Sequence, residues 1–258
     1  DEGDVGLAVL EASTGEFRAT RLPGAIQYGV LPGPLVEELQ RIGPREVLVP
    51  APRAEELAPA LAAALPDAMR TPVEAATFEH GAVPAPPAGF VPRAGDGAMR
   101  AAAAVLAYLG ALQPFALRHV SRLRRYALGD AMVLDAATRA HLELFESAAD
   151  RSRRGTLIEP LDASLTPMDP RRLARWLGSP LLDPEAIRAR QDAVGWLAER
   201  DRRRALLRER LRPVRDLERL LAKAGRPTAP PRDLAALRAS LAALPALAGA
   251  FAPGDSGD

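Results

Sequence analysis

The chain has 258 residues, 48 % of them hydrophobic and 26 % charged, with a formal net charge of +1. Such values belong to a folded chain long enough for two domains, and they exclude wholesale disorder and any global attraction to nucleic acid or anionic lipid. With no cysteine at all, disulfides, thiolate metal sites and thiol nucleophiles are excluded together, which suits a reducing compartment.

The run VGLAVL at 5–10, the Ser-Thr-Gly turn of EASTGEF and the run FRAT predict a β-hairpin. LPGPLVEELQRIG then places Leu35, Val36 and Leu39 on one helical face, with Gly43-Pro44 as a stop. REVLVP reads as a buried strand ended by Pro50, RAEELAPALAAAL as a helix interrupted by Pro59, and AMRTPV as another short strand. Strands alternating with helices predict an α/β domain. A Pro/Gly-rich loop at 81–97 blurs its end, and an Ala-rich helix follows over 98–112. Beyond about residue 115, one or two short strands are expected around Leu128-Gly129-Asp130, with AMVLD strand-like and AATRAHLELFES helical. The remainder reads as helices. Asp169-Pro170 and Asp183-Pro184 each offer a capping carboxylate followed by a proline at the first helical position. Ile187, Gln191, Val194 and Leu197 form one helical stripe, and Leu234, Leu237, Leu241 and Leu244 another.

No apolar run is long enough for a membrane span, and the start does not resemble a signal peptide. An opening at Asp1 directly before a strand suggests a segment of a longer protein. Nearly all basic charge is arginine, concentrated after residue 117, and Lys223 is the only lysine. Arginine suits bidentate phosphate contacts and interface ion pairs, although a coding bias toward Arg, Ala, Gly and Pro accounts for much of it.

The densest polar cluster lies in LDAATRAHLEL, where Asp135, Thr138, Arg139, His141 and Glu143 stand within ten positions. Each has a structural use: Asp135 caps a helix start, and Arg139 and Glu143 sit four apart on one turn, with Leu142 and Phe145 facing the core. His80, His119 and His141 have no metal-ligand spacing. No Gly-x-Ser-x-Gly elbow and no Gly-x-x-x-x-Gly-Lys-Ser/Thr loop occurs. A ribonuclease-H-like, two-metal nuclease is the alternative, with Glu11 and Glu37 or Glu38 as carboxylates, but the strand ending LVPAP lacks the next acid.

GLAVLEASTGEF (6–17), RRYALGDAMVLDAATRAHLELFES (124–147), GTLIEPLDASLTPMDPRRLARWLGSPLLDPEAIRARQDAV (155–194), VRDLERLLAKA (214–224) and PRDLAALRASLAALP (231–245) together, in this order, resemble the MutS family of bacterial DNA mismatch-repair proteins. His141 stands where that family usually has Asn, and Asp169 where it usually has Gly, a change expected to restore a helix cap before Pro170. The resemblance implies an α/β, ribonuclease-H-like connector without nuclease activity over 1–113, and the first segment of a mainly α-helical core, or lever, over 114–258. It implies no catalytic, cofactor or metal residue here: the family's Phe-x-Glu mismatch reader and its ATPase loop are missing from this sequence, and a DNA-gripping clamp is expected after Leu247. ATP and Mg²⁺ are then expected only of the full-length protein. The implied partners are the rest of that protein, a dimer mate, MutL through the connector, and duplex DNA; no membrane is implied, and the place is the bacterial cytoplasm, at the nucleoid when on DNA. Arg202, Arg203 and Arg204 are candidates to face DNA, against a solvated helix surface. A stand-alone DNA-binding module is a further alternative.

Overall fold

The computed structural model describes residues 3–78, 86–91 and 95–251. His80 and most of the Pro/Gly-rich loop lie outside the described residues. The chain divides into two compact units: one runs to Leu128 and takes in Leu134–Thr138, and the other comprises Gly129–Val133 and everything from Arg139.

In the first unit, strands β1 (Asp4–Glu11) and β2 (Glu16–Pro23) form the expected hairpin, Glu11 opposite Glu16, with Gly15 at a positive φ of 75° closing the turn. Helix α1 (Gly33–Ile42) ends at Gly43, whose φ of 58° lets its N–H reach the Leu39 carbonyl. Strand β3 (Glu46–Pro50) and strand β4 (Met69–Val73) pair in parallel, joined by helix α2 (Ala54–Ala64). Pro59 does not interrupt α2 as expected: it stands exposed within a continuous helix, at the loss of one intrahelical hydrogen bond.

Helix α3 (Gly97–Leu112) crosses the hairpin, and strand β5 (Leu123–Arg125) joins β2 in parallel, so the main sheet has the order β1-β2-β5. This pairing carries the first unit past residue 113 to Leu128. One core gathers Phe17, Ala19, Met99, Ala102, Leu106 and Leu123, and a second gathers Leu22, Leu35, Leu39, Val49, Leu57 and Leu61. The first is tight because α3 lies on β1 almost backbone to backbone. A Cβ added at Gly6 would fall 1.9 Å from the Gly97 carbonyl carbon.

The second unit is helical, as expected, and the whole is helical with a small mixed sheet. Helices α4 (Ala136–His141), inside which the division falls, and α5 (Ile158–Leu161) are short; α6 (Asp169–Gly178), α7 (Pro184–Ala198), α8 (Asp201–Leu211), α9 (Leu217–Ala224) and α10 (Pro231–Gly249) follow.

Four expectations need correction here. AMVLD is not a strand. Ala131 makes one bridge to Leu181 and the Met132 N–H reaches the Pro180 carbonyl at 2.7 Å, but proline has no N–H with which to extend a ladder. AATRAHLELFES is not one helix, because α4 stops at His141 and Glu143 adopts a φ of 44°. The carbonyls of Glu143 and Leu144 are taken instead by the N–H groups of Leu157 and Ile158. Leu144 is therefore the buried residue of that segment, and Leu142 stands 55 % exposed. The α7 stripe is not buried either: Ile187 and Leu197 are half-buried, but Gln191 is exposed and Val194 is 67 % exposed. On α10 the inward face runs through Leu237, Ser240 and Leu244, leaving Leu234 and Leu241 exposed.

The β1–α3 crossing gives a direct test. Gly6→Ala is expected to destabilise by about 3 kcal/mol or more, since neither backbone can give way. Gly33→Ala, where a Cβ meets nothing within 4 Å, is expected to stay within about 0.5 kcal/mol. Urea unfolding of both variants reads the difference.

Candidate functional site

The sequence window 135–143 does not assemble into a site. Asp135 accepts the Thr138 N–H at 2.6 Å within the first unit. Arg139, exposed His141 and Glu143 belong to the second, where the Glu143 carboxylate accepts the Ala148 N–H at 2.6 Å beyond the helix end. Glu143 lies beyond the end of α4, which stops at His141.

Two Asp-Pro pairs behave differently. Asp183 precedes Pro184 and accepts the N–H groups of Glu185 and Ala186, at 3.1 and 3.4 Å. Asp169 is not the capping residue of α6, as expected, but its first helical residue, with Pro170 second. Its N–H goes to the Thr166 carbonyl and its carboxylate turns back to the Thr166 N–H at 3.1 Å, a closed turn that shifts the helix start by one residue.

The nuclease alternative meets a positive obstacle. Glu38 is buried, and Arg41 engages both its oxygens at 2.5 and 2.6 Å while the Tyr126 hydroxyl donates to one at 2.6 Å. Burial and this carboxylate push the Tyr126 phenol well above its ordinary value. Glu11 instead accepts from the Ser13 hydroxyl at 2.6 Å. Among the described residues no three His, Asp or Glu side chains gather as metal ligands.

Sequence reasoning missed two features. Tyr28 is 97 % exposed at a φ of 49°, with Gly29 beside it at 74°. That turn is pinned by the Glu56 carboxylate, which accepts the Gly29 N–H at 2.7 Å and pairs with Arg53. The second is a cross-brace in the second unit. Asp216 caps α9 by accepting the Arg219 N–H at 3.1 Å, and Arg171 on α6 grips the same carboxylate at 2.6 and 3.0 Å, with Glu218 at 2.9 Å. Burial works against ionised Asp216, but the Arg171 and Arg219 contacts outweigh it and hold the carboxyl below the usual aspartate value. The hydrogen bonds to Asp216 and, after it, Glu218 raise Arg171 against the opposing effect of burial. Partners 45 residues apart leave no local signal.

The candidate DNA-facing arginines lie where α7 turns into α8. Arg204 donates to the carbonyls of Leu197 and Ala198 at 2.9 and 3.0 Å, closing the end of α7, and pairs with Asp201 at 2.5 Å. Arg203 and Arg200 lie over the Trp196 ring at 5.3 and 5.1 Å, and Phe251 stacks on that ring at 6.4 Å. Arg202 is exposed. Trp176 is likewise held by Arg172 and Arg190, at 5.2 and 4.0 Å. Residues 199–215 carry eight arginines and three acidic residues.

Comparison with known proteins gives a consistent result. Residues 137–256 match the family model described as MutS domain III. The chain is similar to the protein named DNA mismatch repair protein MutS of Symbiobacterium thermophilum, 41 % identical over 254 residues, covering 94 % of this chain and 28 % of that protein. It is 41 % identical over 260 residues to the protein of that name from Anaeromyxobacter sp. strain K, covering 96 % and 28 %. The Myxococcus xanthus protein of that name is 41 % identical over 254 residues, covering 93 % and 27 %. The chain thus spans a little over a quarter of the length of these relatives.

Two outcomes follow from the geometry. Asp216→Ala removes a cap and leaves Arg171 without its main partner, and is expected to cost about 2–3 kcal/mol in urea unfolding. Because folding lowers the Asp216 value, its contribution is complete above the unfolded value of 3.8 and is lost as pH falls through the folded value beneath it. An acid titration should therefore show less loss below pH 3.8 in Asp216→Ala than in the parent chain. Tyr28→Asn relieves a left-handed aromatic that packs on nothing, and should raise stability by several tenths to about 1 kcal/mol.

Proposed function

As this chain belongs to the MutS family of DNA mismatch-repair proteins, we propose that it is a non-catalytic coupling segment of such a protein. In this reading the first unit is a ribonuclease-H-like connector that docks MutL. The second is the first segment of a lever that joins ATPase state to the DNA clamp. The α6–α9 brace is the observation that carries it, because a lever must resist bending. The Arg171–Asp216 grip ties α6 directly to the capped start of α9 across 45 residues of chain.

The apolar surface supports the same reading. Both core clusters lie in the first unit, while the second exposes Val194, Leu221, Leu234, Leu241 and Phe251. A helical array with open apolar faces fits a segment that further polypeptide completes. The 258 residues contain no Gly-x-x-x-x-Gly-Lys-Ser/Thr loop, and in this reading the chain's own contribution is mechanical. No described helix is long and apolar enough to cross a membrane.

The test is made in the full-length parent protein with Asp216→Ala. Nucleotide and DNA should each still bind, while the stimulation of ATP hydrolysis by mismatched DNA falls severalfold; unchanged stimulation would remove the lever role. For the 258-residue chain alone, Mn²⁺-dependent cutting of a nicked duplex, abolished by Glu11→Ala, would establish the nuclease in its place.

A further inference from the structure

We propose that α1, β3, α2 and β4, residues 33–73, open from the hairpin and α3 as a single piece, and that the Tyr126–Glu38 and Tyr108–Glu46 hydrogen bonds are the latches that close it. The device lies wholly within the first unit and holds whatever the second unit does.

Backbone connection is the first observation. Among the described residues β3 and β4 pair only with each other, and the sheet β1-β2-β5 takes in no strand of the block. Closure therefore rests on side chains. The chain enters the block through residues 24–32 and leaves it through 74–96. Within the entry, Glu56 of α2 accepts the Gly29 N–H at 2.7 Å, and Arg53 just before α2 donates to the Ile26 carbonyl at 3.2 Å. That turn thus belongs to the block, and the bend falls at Gly24 and Ala25.

The two faces of the hairpin are the second observation. Phe17 and Ala19 face α3 in a wholly apolar core, where Gly6 also lies against Gly97. The other face of β2 carries Arg18, Thr20 and Leu22, of which only Leu22 joins the core shared with the block, with Val5 and Leu7 packed beside it. On the block's side stands Glu38 of α1, its side chain 1 % exposed and held by Arg41 at 2.5 Å. The Tyr126 hydroxyl donates to it at 2.6 Å, and Arg18 lies over the Tyr126 ring at 5.6 Å. A second phenol repeats the device. Tyr108 of α3 donates to Glu46 of β3 at 2.6 Å, and Thr71 of β4 donates to the same oxygen at 2.5 Å.

Burying an ion pair costs about as much in desolvation as its attraction returns, so a carboxylate here adds little over apolar packing. What it adds is register, because a hydroxyl and a guanidinium meet one carboxylate in one arrangement, and water replaces them when the parts separate. The α3 face is built for permanence, and this one for release and return. Opening uncovers Thr20 and Leu22 of the hairpin with Leu35 and Leu39 of α1, all buried in the closed unit.

Hydrogen exchange of the 258-residue chain, resolved by peptide over a series of sub-denaturing urea concentrations, tests the proposal. Amides of α1, β3, α2 and β4 should converge on one opening, at least about tenfold more frequent than that of α3 and β1 and less sensitive to urea, because less surface is exposed. Tyr126→Phe and Tyr108→Phe each lose a hydrogen bond to a carboxylate and should each speed the block's exchange about tenfold. Tyr28→Phe, in a ring 97 % exposed, should leave it unchanged. An opening shared equally by α3 and β1, exchange of α1 and β4 without a common value, or either latch variant without effect would overturn the proposal.

Discussion

A helix start leaves N–H groups that must find acceptors, and in this chain an aspartate that meets that need can also draw in an arginine from elsewhere. Asp96 caps α3 by accepting from Ala98 and Met99 and also pairs with Arg125 of β5. Asp216 does the same for α9 with Arg171 of α6. One carboxylate thus fixes where a helix begins and which other element lies beside it. In the first unit the consequence is geometric: with the start of α3 held, Gly97 can rest against Gly6, and the Ala-rich face of α3 closes on the hairpin. A charged cap is stronger than a hydroxyl one because the helix dipole and the arginine act on the same charge.

That constraint also explains what was legible in the sequence. The hairpin, α1, α2, α3 and the Asp183 cap were readable because their determinants lie within a few residues: a turn glycine, a left-handed stop, an Asp-Pro pair. Reading failed where a distant group took over a backbone position. The carbonyls of Glu143 and Leu144 serve Leu157 and Ile158, so a helical pattern breaks at His141. The strand-like AMVLD meets Pro180, which cannot answer it. The Glu38–Tyr126 hydrogen bond spans 88 residues, and no local pattern announces it.

Leucine stripes failed for a different reason. A stripe shows that a helix has an apolar side; it does not show what covers it. On α10 the packed position is Ser240, whose hydroxyl accepts the Arg215 N–H at 3.0 Å and donates to the Ala236 carbonyl at 2.8 Å. A buried hydroxyl that closes the segment after α8 takes precedence there over Leu241, one residue further round the helix. A run of three arginines does not show which guanidinium meets a ring, as Arg203 does, and which meets a carbonyl, as Arg204 does.

The two ends of α8 show why stiffness and charge coexist. Cations near the start of a helix oppose its dipole, and cations near the end complement it. Arg208 and Arg210 occupy the favourable end. Arg204 sits at the unfavourable one, yet its guanidinium reaches back to the closing carbonyls of α7, where a positive charge is welcome. The charge that α8 would reject at its start therefore serves as the closing group of the helix before it, and the junction is held by attraction instead of by a buried core. A joint made this way needs few apolar contacts and leaves its arginines at the surface. Rigidity and an exposed basic face are two results of one arrangement.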